Sequence, residues 1–186
     1  MTSPVDGFCL VTSNEDKWRE AQRILGRPLA RTALDLPEIQ AATTAEVALE
    51  KARAAFAALR RPVIVEDAGV ELHALGGFPG PFIKFWEKLG GLASICRAVD
   101  GAGDRGVTAV CALGVCAEEG AAYVVEGRTA GRVADRPRGS GGFGWDAIFV
   151  PDGDVRTFAE MSAAEKDRTS HRRRAWEALA LRVAGR

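Results

Sequence analysis

Two short segments carry the side chains with the most evident chemistry. Ser170-His171-Arg172-Arg173-Arg174-Ala175 sets an imidazole and guanidinium groups at an expected helix start, and Phe143-Gly144-Trp145-Asp146 sets two rings and a carboxylate beside glycine. Rings stack on the face of a nucleobase, and charged groups bond its edge. An arginine donates and cannot accept. Arg172 therefore suits the O6 acceptor of a 6-keto purine and meets the 6-amino group of adenine badly. Each segment also has a plainer reading. The aromatics serve a core equally well, and Arg172, Arg173 and Arg174 also describe a basic helix start or a nucleic-acid patch.

Cations and carboxylates elsewhere suit a phosphate and a metal. Thr12-Ser13-Asn14-Glu15-Asp16-Lys17 lies where a strand turns into a helix. A helix N-terminus offers free N–H groups and the positive end of its dipole, which favours phosphate, and Lys17 one turn in adds a point charge. Glu15 and Asp16 fit an ordinary capped helix with a surface lysine as well. Glu38, Glu66 and Asp67 are oxygen donors of the kind Mg²⁺ takes alongside waters and phosphate oxygens. Strand neighbours point to opposite faces, so Glu66 and Asp67 do not both face one site while the strand stays regular. Asp67, at the expected strand end before Gly69, is the better candidate, although solvated carboxylates would give the same pattern. Lys84 stands among Phe82, Ile83, Phe85 and Trp86, where snorkelling accounts for a lysine. Lys51 and Lys166 read singly as solvated lysines.

The elements that must position these groups are legible in outline. Phe8 to Thr12 reads as a buried strand, followed by a helix capped at Asn14 with Trp18, Ala21, Ile24 and Leu25 inward. Gly26 and Pro28 end it. Thr43-Thr44-Ala45-Glu46 matches a capping box, and its helix runs to about Leu59. Pro62 to Glu66 reads as a strand, 76–81 as a rigid loop, and Leu92 to Val99 as a helix. Val107 to Ala117, Ala121 to Glu126, Thr129 to Val133 and Trp145 to Val150 read as strands. Ser162 to Asp167 reads as a helical turn, and Ser170 caps a last helix burying Trp176, Leu179, Ala180 and Val183. Helices and strands mixed in this way predict an α/β fold with a mixed sheet.

The composition and missing motifs narrow the function. The 186 residues suit one domain with a real core, and 25 basic residues balance 25 acidic ones, so nothing draws the whole chain to nucleic acid or anionic membrane. The four cysteines, Cys9, Cys96, Cys111 and Cys116, form no CxxC pair and read as reduced, buried thiols of a cytoplasmic protein. No signal peptide is expected at the start, and no apolar run reaches the ~18 residues of a membrane span. There is no Walker loop and no G-x-S-x-G elbow, and two histidines exclude an HExxH zinc site. Gly139, Gly141 and Gly144 match G-x-G-x-x-G, but they precede a strand instead of following one.

Taken in order, several segments resemble the inosine/xanthosine triphosphate pyrophosphatase family. They are Val65-Glu66-Asp67, the stretch from Ala74 to Lys84 through Gly76-Gly77-Phe78-Pro79-Gly80-Pro81, Gly142-Phe143-Gly144-Trp145-Asp146, Thr157-Phe158-Ala159-Glu160-Met161, Glu165-Lys166 and Ser170-His171-Arg172. The likeness runs from Val11 to about Ala178. It implies a single domain over 1–186, an elongated mixed sheet flanked by helices, two lobes around a central cleft, and a homodimer. It implies Mg²⁺-dependent cleavage of deaminated purine triphosphates (ITP, dITP, XTP) to monophosphate and pyrophosphate. By motif, Thr12, Asn14, Lys17, Lys51 and Lys166 would contact the triphosphate, with Ser13 and Ala68 at neighbouring contact positions. Glu38 and Asp67 would handle the metal, with Glu66 an alternative, and Asp67 would activate water. Phe143, Gly144, Trp145, Asp146, His171 and Arg172 would bind the base, with Lys84 near sugar and base.

The sequence departs from that family at three places. Ser13 stands where glycine is usual, Ala68 where threonine is usual, and Asp167 where asparagine is common. None removes a group the chemistry requires. Two other readings compete. A Maf-like pyrophosphatase is disfavoured by the intact Ser170-His171-Arg172 run. A non-catalytic nucleic-acid binder is disfavoured by the zero net charge.

Overall fold

The structure, a computed structural model, describes residues 5–184. Seven strands form one mixed sheet: β1 (Cys9–Val11), β2 (Ala30–Thr32), β3 (Val63–Leu72), β4 (Pro79–Gly80), β5 (Gly106–Cys116), β6 (Ala122–Val133) and β7 (Phe149–Pro151). The order is β2-β1-β3-β5-β6-β7, with β4 paired to β3. β1 runs parallel to β2 and β3, whereas β3–β4 and β6–β7 are antiparallel. The helices are α1 (Glu15–Leu25), α2 (Thr44–Leu59), α3 (Ile83–Gly90), α4 (Leu92–Ala98), α5 (Ala163–Thr169) and α6 (His171–Ala184). This is the α/β class that the pattern predicts.

The chain divides into two compact units. The first takes residues up to Ala68, Cys111–Gly127 and those from Arg172 on; the second takes Gly69–Val110 and Arg128–His171. In the first unit, Leu10, Ala21, Ile64, Leu113, Trp176 and Leu179 build one buried cluster, and Val11, Ala52, Ala55, Val63 and Val65 build another. Ile64 and its strand neighbours Val63 and Val65 thus fall in different clusters, as alternation along β3 requires. α2 presents an alanine face, and β5 meets it with Gly114: a Cβ there would collide with the Ala48 carbonyl. In the second unit, Val70, Leu72, Ile83, Ile95, Val107, Trp145, Phe149 and Phe158 form the core.

Local signals hold where local chemistry decides. Asn14 accepts the Lys17 N–H at 3.0 Å, Gly26 ends α1 in the left-handed region, and Thr43 and Glu46 close a capping box on α2. Ser162 and Glu165 close another on α5, which is longer than the expected turn. All four cysteines are free and buried.

Four readings need correction. β3 continues through Glu66 and Asp67 to Leu72 instead of stopping at Glu66. The two stretches expected as separate strands around Gly127 are the single strand β6. Trp145 to Ile148 lies in a 3-10 turn and only Phe149–Pro151 is extended, because Asp146 accepts the Phe143 N–H at 2.9 Å and closes the turn. The short edge strand β2 and the helix α3 lie outside the elements read from the sequence. In α3, Ile83 and Trp86 pack on the second-unit core while Phe85 and Leu89 face solvent, so its apolar residues fall on both faces and only a short stripe is buried.

Candidate active site

The first unit holds one set of candidate residues at a strand switch point. β1 has its sequence successor β2 on one side and β3 on the other, all parallel. Such reversals open a crevice beyond the carboxyl ends of the strands. Val11 stands opposite Val65, so the chain leaves β1 beside Glu66. Thr12, Ser13 and Asn14 make the turn into α1, with the Thr12 hydroxyl accepting the Asn14 N–H at 3.1 Å. Ser13 and Asn14 are exposed, and Ala68 is half-buried on β3.

Because β3 stays regular, Glu66 and Asp67 face opposite sides of the sheet and have different partners. Glu66 is fully buried against Arg172, whose Nε donates to both carboxylate oxygens at 3.1 Å and whose Nη2 donates to Oε1 at 2.9 Å. Arg172 Nη1 bonds Glu20 of α1. Lys17 Nζ lies 3.5 Å from Glu66 Oε1 and 3.4 Å from the Glu66 carbonyl oxygen. Burial alone would raise the Glu66 carboxyl, but the Arg172 charge, then Lys17, then the Arg172 hydrogen bonds outweigh it and hold it below the usual range. Arg172 is driven the other way, well above the usual guanidinium value, because Glu66 and Glu20 overcome its burial.

Asp67 faces α2. Its Oδ1 is 3.9 Å from Lys51 Nζ, and Lys51 also donates to Glu38 Oε1 at 2.8 Å. Asp67 Oδ2 is buried with no hydrogen-bond partner among the described residues. Burial raises the Asp67 carboxyl above its usual value and Glu66 adds to this, while Lys17 and Lys51 pull it down. Among the described residues, no three His, Cys, Asp or Glu side chains gather into a metal nest. Mg²⁺ does not need one, since it takes one or two carboxylates and fills the rest with water and phosphate oxygens. Asp67, with a bare buried oxygen, and Glu38 fit that pattern. Glu66 is enclosed by two cations and fits it less well.

The second unit holds the other set. Lys166 Nζ and Asp146 Oδ2 are 2.6 Å apart, and both side chains are buried. The same ammonium lies 4.9 Å from the Phe143 ring centre and 5.7 Å from that of Phe158. Lys166 therefore joins the aromatic segment. Phe143 is half-buried, but Trp145 belongs to the core, its ring 5.7 Å from Phe149 and 5.0 Å from the buried His171. Lys84 is exposed on the first turn of α3, with its ammonium 5.0 Å from the Phe85 ring.

Gly142 is tied to this geometry. Its φ is +66°, and a Cβ there would collide with Asp146 Oδ2. Gly142→Ala is expected to cost about 1–3 kcal/mol through strain and clash and to displace the Asp146–Lys166 pair. Urea unfolding of variant and wild type measures the first effect.

The Arg172 guanidinium, read from sequence as a base-edge donor, is 2% exposed and engaged by Glu66 and Glu20. Glu20 was missed altogether. Its signal is a carboxylate three residues after Lys17 and one before Ala21, on the buried stripe of α1.

Comparison with known proteins identifies the family and the fold. A sequence model of the Ham1 family matches residues 8–181. Inosine triphosphate pyrophosphatase 2 of Trypanosoma cruzi is 42% identical over 173 residues, covering 91% of this chain and 88% of that protein. The dITP/XTP pyrophosphatase of Methanopyrus kandleri is 39% identical over 182 residues, covering 94% and 97%. Among solved structures, a HAM1 protein from Coxiella burnetii superposes with a TM-score of 0.81 at 28% identity, covering 96% of this chain and 98% of that one. A nucleoside-triphosphatase (dITP/XTP pyrophosphatase) from Mycobacterium abscessus gives 0.72 at 34% identity, covering 92% and 97%.

Proposed function

This chain belongs to the Ham1 family, and from that premise we propose that it hydrolyses deaminated purine nucleoside triphosphates, ITP, dITP and XTP, to the monophosphate and pyrophosphate. The observation that carries the reading is the pairing of adjacent carboxylates with opposite environments. Glu66 is pinned as a counter-ion, while Asp67 keeps a bare buried oxygen and a raised proton affinity. A carboxylate whose pKa moves toward the working pH makes a better general base. In this reading Asp67 takes the proton of the attacking water. Lys17 and Lys51, with the free N–H groups that open α1, bind the triphosphate oxygens. Glu38 and Asp67 would hold Mg²⁺, which when bound neutralises charge on the triphosphate.

The set in the second unit takes the base. Phe143 offers a ring face. Lys166, steered by Asp146, brings a lysine's donors to a segment where a 6-keto purine presents O6. His171 packs on Trp145 and holds that wall in place. Arg172 acts through Glu66. We include in the proposal a homodimer, for which α3 gives some support: Phe85 and Leu89 share one exposed face, and the exposed Phe78 lies 5.7 Å from Trp86. A cytoplasmic location accords with a role in clearing the nucleotide pool. Among the described residues no helix is long and apolar enough to cross a membrane.

The products test the reaction. ITP should give IMP and pyrophosphate in equal amounts, and in ¹⁸O-water the label should enter IMP, since water attacks the α-phosphorus. Inosine diphosphate with orthophosphate, or label in pyrophosphate, would overturn the mechanism.

A further inference from the structure

Glu87 has no part in either set above, yet its carboxylate lies against the base segment. It sits half-buried on α3, three residues after Lys84. A Cβ built on Gly144 would have Glu87 Oε2 at 3.7 Å, and no other atom within 4 Å apart from the glycine's own chain neighbours. The exposed face of Gly144 thus looks into open space with a carboxylate at its edge. Burial first, and then the nearby charge of Asp146, raise the Glu87 carboxyl above its usual range, and no hydrogen bond acts against them. Such a carboxylate gains from any N–H donor brought to it.

We propose that Glu87 is a specificity-determining residue whose carboxylate accepts the N1–H of a 6-keto purine. The inference rests on placing the base against Phe143–Asp146. An ionised carboxylate accepts and does not donate. Hypoxanthine and xanthine carry a proton on N1; adenine carries a lone pair there. Glu87 therefore bonds the first two and repels the third, and a polar site left unmatched rejects the wrong ligand strongly. This supplies discrimination that the Arg172 guanidinium, held by Glu66 and Glu20, does not. Guanine also carries N1–H, so Glu87 separates 6-keto from 6-amino purines and does not separate ITP from GTP.

The test is kcat/KM for ITP, GTP and ATP in wild type, Glu87→Ala and Glu87→Gln. Glu87→Ala should lower ITP by about 10- to 150-fold, the range for a charge-assisted hydrogen bond. GTP should fall by the same factor and ATP should not fall. Glu87→Gln keeps the shape, but its amide can turn its donor to adenine N1, so the ITP/ATP ratio should shrink while the ITP/GTP ratio holds. Equal changes for ITP and ATP in both variants would overturn the role of Glu87, with the functional reading intact if wild type still releases pyrophosphate from ITP. A wild type that does not hydrolyse ITP would overturn both.

Discussion

Asp67→Asn should lower kcat for ITP by at least ~100-fold, the low end for loss of a general base, without weakening the fold at neutral pH. The stability half follows from the direction of the pKa shift. Burial, reinforced by Glu66, raises the folded-state value of Asp67 above its usual 3.8. A raised value means that the folded protein holds the proton more tightly than the unfolded chain does. That contribution is present below the unfolded pKa and is lost as pH rises through the folded one. At neutral pH the ionised Asp67 therefore destabilises the fold, and an isosteric amide removes the charge. Thermal melting at pH 7 should give a midpoint equal to or above wild type. A lower midpoint would attribute the activity loss to unfolding and remove the support for Asp67 as base. Saturating Mg²⁺ should not rescue this variant. Glu38→Gln, if Glu38 only holds metal, should be partly rescued, and identical behaviour of the two variants would refute the division of roles.

Arg172→Ala should be the most damaging single change to stability, by about 3–5 kcal/mol, the usual result of removing one partner from a buried charge pair. It removes the strongest cation from two buried carboxylates, leaving Lys17 beside Glu66 and the more distant Arg23 beside Glu20. The pH dependence should also reverse. In wild type, Arg172 and Lys17 hold the Glu66 carboxyl below its usual 4.5. That stability is present above the unfolded pKa and is lost as pH falls through the folded one. Without Arg172, burial dominates and raises Glu66, so mild acidification should recover part of the lost stability. Urea unfolding at pH 7 and pH 5 checks both. A variant that loses stability on acidification as steeply as wild type would show that Arg172 does not govern Glu66. If the fold survives at pH 7, phosphate-dependent affinity should fall for ITP and ATP alike, because Arg172 acts on Lys17 through Glu66.

The correct and incorrect sequence readings differ in the range of the forces behind them. Caps, helix ends and alternating strands depend on residues a few positions apart. Asn14 with Lys17, Thr43 with Glu46, and Ser162 with Glu165 close hydrogen bonds inside a single turn, so the letters alone were enough. The candidate site residues were also visible as types: lysines, carboxylates and rings at spacings that suit nucleotide chemistry.

The sequence did not determine which carboxylate is held as a charge partner and which keeps a bare buried oxygen. Glu66 and Asp67 are neighbours of like charge, and an acidic pair before glycine reads as a strand end. The strand continues because the guanidinium of Arg172, 106 residues away in sequence, neutralises Glu66 inside the sheet. Strand alternation then turns Asp67 to the other face, toward Lys51 and α2. Burial, which raises the proton affinity of Asp67, is a property of the assembled unit and leaves no local mark. The same holds for Lys166, a surface lysine by its neighbours in sequence. It becomes a buried partner of Asp146 only because the fold of the second unit brings the 3-10 turn from Gly144 and the helix α5 within reach at that pair. Short-range hydrogen bonds and apolar period are encoded locally. Desolvation and charge pairing between distant segments arise only when tertiary packing removes water and brings the partners within reach.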